Sequence, residues 1–188
     1  MQKQQRRLAI IGGTGISEFD SLETIAQHII QTPFGDNASP IVEVQFEGKS
    51  LFFLARHGHP HKIAPHLINY RANIWALNHL GVTDIIAINA VGGITNLMQS
   101  AVMVVPDQII DYTHTREASF FDGELKPLQH IDFSYPYSKK LRTLLLQQSD
   151  KLIDGAVYGA TQGPRLETAA EITRLEYDGV DIVGMTGM

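Results

Sequence analysis

The segment Ala55-Arg56-His57-Gly58-His59-Pro60-His61 sets a guanidinium beside an imidazole. Arg56 offers a planar fork suited to phosphate or carboxylate, and His57 a donor that switches with protonation. At strand spacing the histidines at 57, 59 and 61 would share a face. Gly58 and Pro60 interrupt that spacing and no carboxylate accompanies it, so no metal site is expected. His59 and His61 read as loop residues at the surface. In Ile10-Ile11-Gly12-Gly13-Thr14-Gly15, the glycines let backbone N–H groups form a nest for an anion, and Thr14 adds a hydroxyl. The spacing differs from a dinucleotide fingerprint and lacks the lysine of a P-loop. For that segment alone a plain tight turn is the stronger account.

Three further segments have the same character. Asn89-Ala90-Val91-Gly92-Gly93 closes an apolar run, and its backbone N–H groups either meet a ligand or serve a packing turn. Gln162-Gly163-Pro164-Arg165-Leu166-Glu167-Thr168 follows a β-rich run and opens a helix that Thr168 can cap. Glu167 is either an acceptor for a ligand N–H or an acid favoured at a helix start. Gly184-Met185-Thr186 supplies one more hydroxyl, with Met185 ordinarily a core residue.

These segments must be held by regular elements. Leu8 to Ile11 reads as a buried strand, and Ile41 to Leu54 as a hairpin turning at Glu47-Gly48. Asn69 to Leu80 reads as a helix with Tyr70, Ile74, Leu77 and Leu80 inward and Gly81 as its stop. Thr83 to Val91, Val102 to Val105, Gly155 to Ala160 and Val180 to Met185 read as strands. Ser138 to Asp150 reads as a helix with Leu141, Leu144 and Leu145 inward. Thr168 to Tyr177 reads as another, with Ile172 and Leu175 inward. The alternation predicts an α/β fold, a single domain over 1–188 with a central mixed, mostly parallel sheet flanked by helices. Ligands in such folds bind at the carboxyl ends of strands, where the glycine turns lie. A buried strand delivered to a glycine turn at residue 188 predicts that a C-terminal part is absent.

Composition narrows the class. The 188 residues carry 15 basic and 20 acidic side chains, a net charge of -5. That balance gives no electrostatic footprint for nucleic acid or an anionic membrane, so a bound phosphate needs local groups. There is no cysteine, which excludes disulfides and thiolate metal sites. The apolar stretch after the basic N-terminus is too short for a signal peptide, and no run reaches membrane-spanning length. A cytoplasmic protein is expected.

Taken in order, Ile11-Gly12-Gly13-Thr14-Gly15, Thr32-Pro33-Phe34-Gly35, Ala55-Arg56-His57-Gly58, Asn69-Tyr70-Arg71-Ala72-Asn73-Ile74-Trp75-Ala76-Leu77, Gly163-Pro164-Arg165 and Met185-Thr186 span nearly the whole chain. The set resembles the methylthioadenosine phosphorylase branch of the purine nucleoside phosphorylases. His57-Gly58-His59-Pro60-His61 and Gly184-Met185-Thr186-Gly187-Met188 are similar to the form kept by bacterial methylthioinosine phosphorylases.

The resemblance implies phosphate-dependent cleavage of the N-glycosidic bond of methylthioinosine or a related 6-oxopurine nucleoside, in purine salvage. It assigns phosphate to Thr14, Arg56, His57, the backbone at Ala90, and Thr186. It places the ribose against Met185, the purine near Leu166 and Glu167, and His130 in the 5′ pocket of a neighbouring subunit. It implies a homotrimer, phosphate as co-substrate and no cofactor. A carboxylate at Glu167 would accept from the N1–H of a 6-oxopurine, whereas adenine presents a lone pair there. A methylthioadenosine phosphorylase and an inactive truncated fragment of the family stand as the alternatives, and a phosphate-binding α/β module without chemistry as a third.

Overall fold

The apolar run Leu8–Gly12 is hydrogen-bonded on both sides, as the first strand of a computed structural model that describes residues 6–13, 22–121 and 129–187. The chain forms two compact units, residues 1–90 with 117–120, and residues 91–116 with 121–188. The α/β class expected from the sequence is what the structure shows. Its mixed hydrogen bonding is divided between a five-stranded and a four-stranded sheet.

The first unit contains β1 (Leu8–Gly12), β2 (Glu23–His28), β3 (Gln31–Thr32), β4 (Gly35–Asp36), β5 (Ile41–Phe46), β6 (Lys49–Ala55), α1 (Tyr70–His79) and β7 (Asp84–Ala87). Its main sheet has the order β2-β5-β6-β1-β7. β5 and β6 form the expected hairpin. Glu47 and Gly48 both take positive φ, the two-residue turn whose twist matches that of the strands. β6, β1 and β7 run parallel, and their register sets Ala55 beside Gly12 and Ala87 beside Ile11. Three carboxyl ends are therefore level. The core beneath them contains Ala9, Phe52, Leu54, Ala76 and Leu77. Leu54 and Leu77 are fully buried, and each contributes roughly 1.5–3 kcal/mol by leaving water.

The helix expected from Asn69 to Leu80 is α1, with Asn69 as N-cap and Leu80 as C-cap. Leu77 points inward as expected and Leu80 packs against the same core, but Ile74 does not. Ala72, Asn73, Ala76 and Leu77 are buried, whereas Ile74 is 38% exposed. Asn73 turns inward because its Oδ1 accepts from the Ala38 N–H at 2.8 Å. The polar contact and the small alanines widen the inward face to the Asn73 side, and Ile74 is left outward. On its other side Arg71 pairs with Glu117, donates to the Ser119 carbonyl at 3.1 Å and lies over the Phe34 ring.

The second unit contains β8 (Gly92–Gly93), β9 (Met103–Val105), β10 (Gln108–Asp111), α2 (Lys139–Leu146), β11 (Leu152–Asp154), β12 (Val157–Ala160), α3 (Ala169–Tyr177) and β13 (Ile182–Gly184). Its main sheet has the order β10-β12-β13-β8, parallel except for β8, and β9 pairs with β11. The register aligns Asp111, Ala160 and Gly184, so a second set of carboxyl ends is level. α2 is shorter than expected, ending at Leu146, and Leu144 points outward at 43% exposure. Arg142 of α2 donates to the Pro106 carbonyl at 2.9 Å and pairs with Asp154. α3 buries Leu175 as expected, with Ile172 packed against the same cluster.

A full capping box starts α3. Thr168 Oγ1 accepts from the Glu171 N–H at 3.2 Å, and the Thr168 N–H donates to Glu171 Oε2 at 2.7 Å. Thr168→Ala is expected to cost about 1 kcal/mol. For a chain of this size that lowers the melting temperature by roughly 2–4 °C, readable by calorimetry.

Among the described residues no helix is long and apolar enough to cross a membrane.

Candidate active site

In the first unit the level strand ends place Gly13, Arg56 and Ile88 one residue beyond β1, β6 and β7. The Arg56 N–H extends the ladder to the Gly12 carbonyl at 3.1 Å. Its guanidinium donates to the Ile88 carbonyl at 2.8 Å and approaches the Ile11 carbonyl at 3.5 Å. The residue is only 3% exposed. Gly13 makes room for it, because a Cβ there would overlap the guanidinium. A delocalised cation is thus fixed at the carboxyl ends of three parallel strands. Ala90 lies two residues beyond Ile88, in the exposed loop after β7. Thr14 lies outside the described residues.

His57 is 7% exposed, and its Nδ1 lies 2.8 Å from the Ile63 carbonyl. A carbonyl only accepts, so Nδ1 carries the proton, and in the neutral ring Nε2 keeps its lone pair. Burial holds the His57 pKa below its ordinary value; the Ile63 bond opposes this, and the charges of His61 and Arg56 reinforce it. The His61 ring stacks on His57, with centroids 4.3 Å apart. Because the folded pKa is depressed, the unfolded chain takes up His57's proton first as pH falls. Stability is full above about pH 6.5, the unfolded value, and declines below it. Urea unfolding midpoints between pH 7.5 and 5 should fall less in His57→Gln than in the wild type. Parallel slopes would show that His57 carries none of the loss.

In the second unit the level ends place Tyr112, Thr161 and Met185 side by side. The Thr161 hydroxyl donates to Glu167 Oε1 at 2.7 Å, and the Thr161 N–H to the Gly184 carbonyl at 2.9 Å. Gly163 has φ +67, and a Cβ there would run into the Met185 sulfur. The chain can therefore fold back over Met185 only with glycine at 163. Thr186, next along, is buried. Glu167 faces a cavity of about 450 Å³ lined also by Tyr112, Thr161, Gln162, Gly163 and Arg165. Arg165 makes a two-pronged pair with Glu171, at 2.8 and 2.7 Å, which ties the loop to the first turn of α3. That pair is the main reason the Glu171 pKa falls to about 2.

The structure thus brings Glu167, Met185 and Thr186 to one set of strand ends in the second unit, and Arg56 and His57 to one set in the first. Leu166 is next to Glu167 but 79% exposed. His130 is exposed, and no described hydrogen bond links it to the Glu167 group. Sequence reasoning missed Thr161, Tyr112 and Arg116. Thr161 had a signal, since it directly follows a strand and precedes the glycine turn. Among the described residues no three His, Cys, Asp or Glu side chains gather to hold a metal.

A family model described as the phosphorylase superfamily matches residues 7–188. A Pseudomonas syringae protein named "Probable S-methyl-5'-thioinosine phosphorylase" is 50% identical over 184 residues, covering 96% of this chain and 75% of that one. The 6-oxopurine nucleoside phosphorylase of Pyrococcus furiosus is 43% identical, covering 96% of this chain and 70% of its own. Methylthioadenosine phosphorylase from Schistosoma mansoni, solved in complex with adenine, superposes with a TM-score of 0.92 at 29% identity, over 98% of this chain and 75% of that one. With the family model matching nearly its whole length and the level strand ends carrying its candidate residues, this chain belongs to the phosphorylase superfamily.

Proposed function

We propose that the protein is an enzyme of purine salvage that cleaves a 6-oxopurine nucleoside with phosphate, methylthioinosine or a close relative. The products are the free base and the (methylthio)ribose 1-phosphate. The observation that carries the choice of base is Glu167. The Thr161 hydroxyl occupies Oε1 and leaves Oε2 for a donor in the adjoining cavity. A carboxylate is an acceptor only, so the base must bring a hydrogen, as N1 of a 6-oxopurine does. Relatives named for methylthioinosine and for 6-oxopurine nucleosides support the same choice.

Phosphate attacks the anomeric carbon while the purine leaves, through a state resembling an oxocarbenium ion. The protein's work is to hold a dianion beneath the sugar and ease the departure of the base, by positioning and charge. Arg56, His57, Thr14, the backbone at Ala90 and Thr186 serve phosphate. A neutral His57 suits it, because Nε2 can accept from the P–OH of hydrogen phosphate. Met185 lies against the ribose, and Leu166 and Glu167 serve the base. No covalent nucleophile, metal or organic cofactor enters the reaction. His130 completes a 5′ pocket in a neighbouring subunit of a homotrimer, and the enzyme works in the cytoplasm.

A methylthioadenosine reading has one observation in its favour, the likeness to the Schistosoma enzyme. Phosphorus NMR of the protein with phosphate and either methylthioinosine or inosine should show a pentose 1-phosphate growing in step with hypoxanthine. No pentose 1-phosphate from any purine nucleoside would overturn the proposal.

A further inference from the structure

Arg116 lies in the polar loop after β10, away from every segment that suggested chemistry in the sequence. Its half-buried guanidinium is nonetheless spread over the second unit's strand ends. Nε donates to Gln162 Oε1 at 3.0 Å and Nη1 to the Met185 carbonyl at 2.8 Å. Nη2 donates to the Thr161 carbonyl at 3.1 Å and the Gln162 carbonyl at 2.9 Å. One rigid fork therefore joins the loop leaving β12 to the loop leaving β13. The first loop holds Thr161, whose hydroxyl orients Glu167. The second holds Met185, packed under Gly163. The spacing of these acceptors suits a planar guanidinium and not an ammonium, which is a point charge with three donors on a flexible stem.

We propose that Arg116 is a positioning residue for base selection, fixing the Thr161–Glu167 loop against the Met185 loop so that the carboxylate meets the base at a set distance from the sugar. It touches neither substrate nor reacting atoms and acts through Thr161, Glu167 and Met185. The proposal rests on the assignment of base and ribose to those residues. Small errors in such placement are expensive, since a displacement of about 1 Å can cost on the order of 100-fold in rate.

The test uses Arg116→Lys and Arg116→Gln in the full chain, with two readouts. Amide hydrogen exchange at residues 161–167 and 184–187 should speed up roughly tenfold or more, while β1 and β6 keep their protection. In kinetics, kcat/KM for methylthioinosine should fall roughly 10- to 100-fold, mostly in kcat. The ratio of kcat/KM values for methylthioinosine and methylthioadenosine should move toward one. A merely structural role would reduce both substrates alike and leave that ratio unchanged. An unchanged ratio, or unchanged exchange at both loops, overturns the proposal. A wild type without phosphorolysis overturns the functional reading instead, and the exchange readout still decides whether Arg116 ties the two loops.

Discussion

Glu167→Gln is expected to reverse the enzyme's preference between bases. The Thr161 hydroxyl holds one oxygen of this side chain, and a glutamine keeping that bond would turn its NH₂ toward the cavity in place of Oε2. The N1–H of a 6-oxopurine would then face a donor, and adenine N1 would gain one. Losing a hydrogen bond to a charged group costs about 1.5–3 kcal/mol, so kcat/KM on methylthioinosine should fall roughly 10- to 100-fold. The value for methylthioadenosine should hold or rise. Steady-state kinetics on both nucleosides with saturating phosphate checks this. An equal fall on both would make Glu167 a residue of loop structure.

Arg56→Ala should weaken phosphate binding by a similar factor, about 10- to 100-fold, since it removes a charged donor. Calorimetric titration with inorganic phosphate measures it directly. Gly13→Ala is the sharper companion. It removes no charge, but its methyl group takes the guanidinium's place and forces Arg56 off the Ile88 carbonyl. Phosphate affinity should fall in both variants, whereas affinity for hypoxanthine should change little. Unchanged phosphate affinity in Arg56→Ala would remove that residue from the site.

The sequence was most legible where the signals are local. The α1 boundaries follow from Asn69 and Gly81, the hairpin from Glu47-Gly48, and the α3 start from Thr168, all within a few residues of the structure they cause. On α1 Leu77 was legible as inward, but the burial of Asn73 was not, because its partner is a backbone N–H 35 residues away. β10 was hidden behind Pro106, with only Ile109 and Ile110 to mark it. The candidate site divides in the same way. Arg56, Glu167 and Met185 stand in glycine-marked turns at strand ends and draw notice. Arg116 does not, because it reaches the site through the backbone carbonyls of Thr161, Gln162 and Met185, which have no side-chain signature. Only the register that levels Asp111, Ala160 and Gly184 brings those carbonyls within reach of one side chain.

The proposed reaction uses phosphate to release a 6-oxopurine from its nucleoside, with Glu167 making the choice. A competition assay tests it most directly. Wild-type protein is given equal concentrations of methylthioinosine and methylthioadenosine with excess phosphate, and the released bases are separated over the first few per cent of turnover. The ratio of hypoxanthine to adenine then equals the ratio of the two kcat/KM values. The account predicts hypoxanthine in excess by at least tenfold, the lower bound set by one charged hydrogen bond. Adenine in excess, or the two bases in equal amounts, would contradict it.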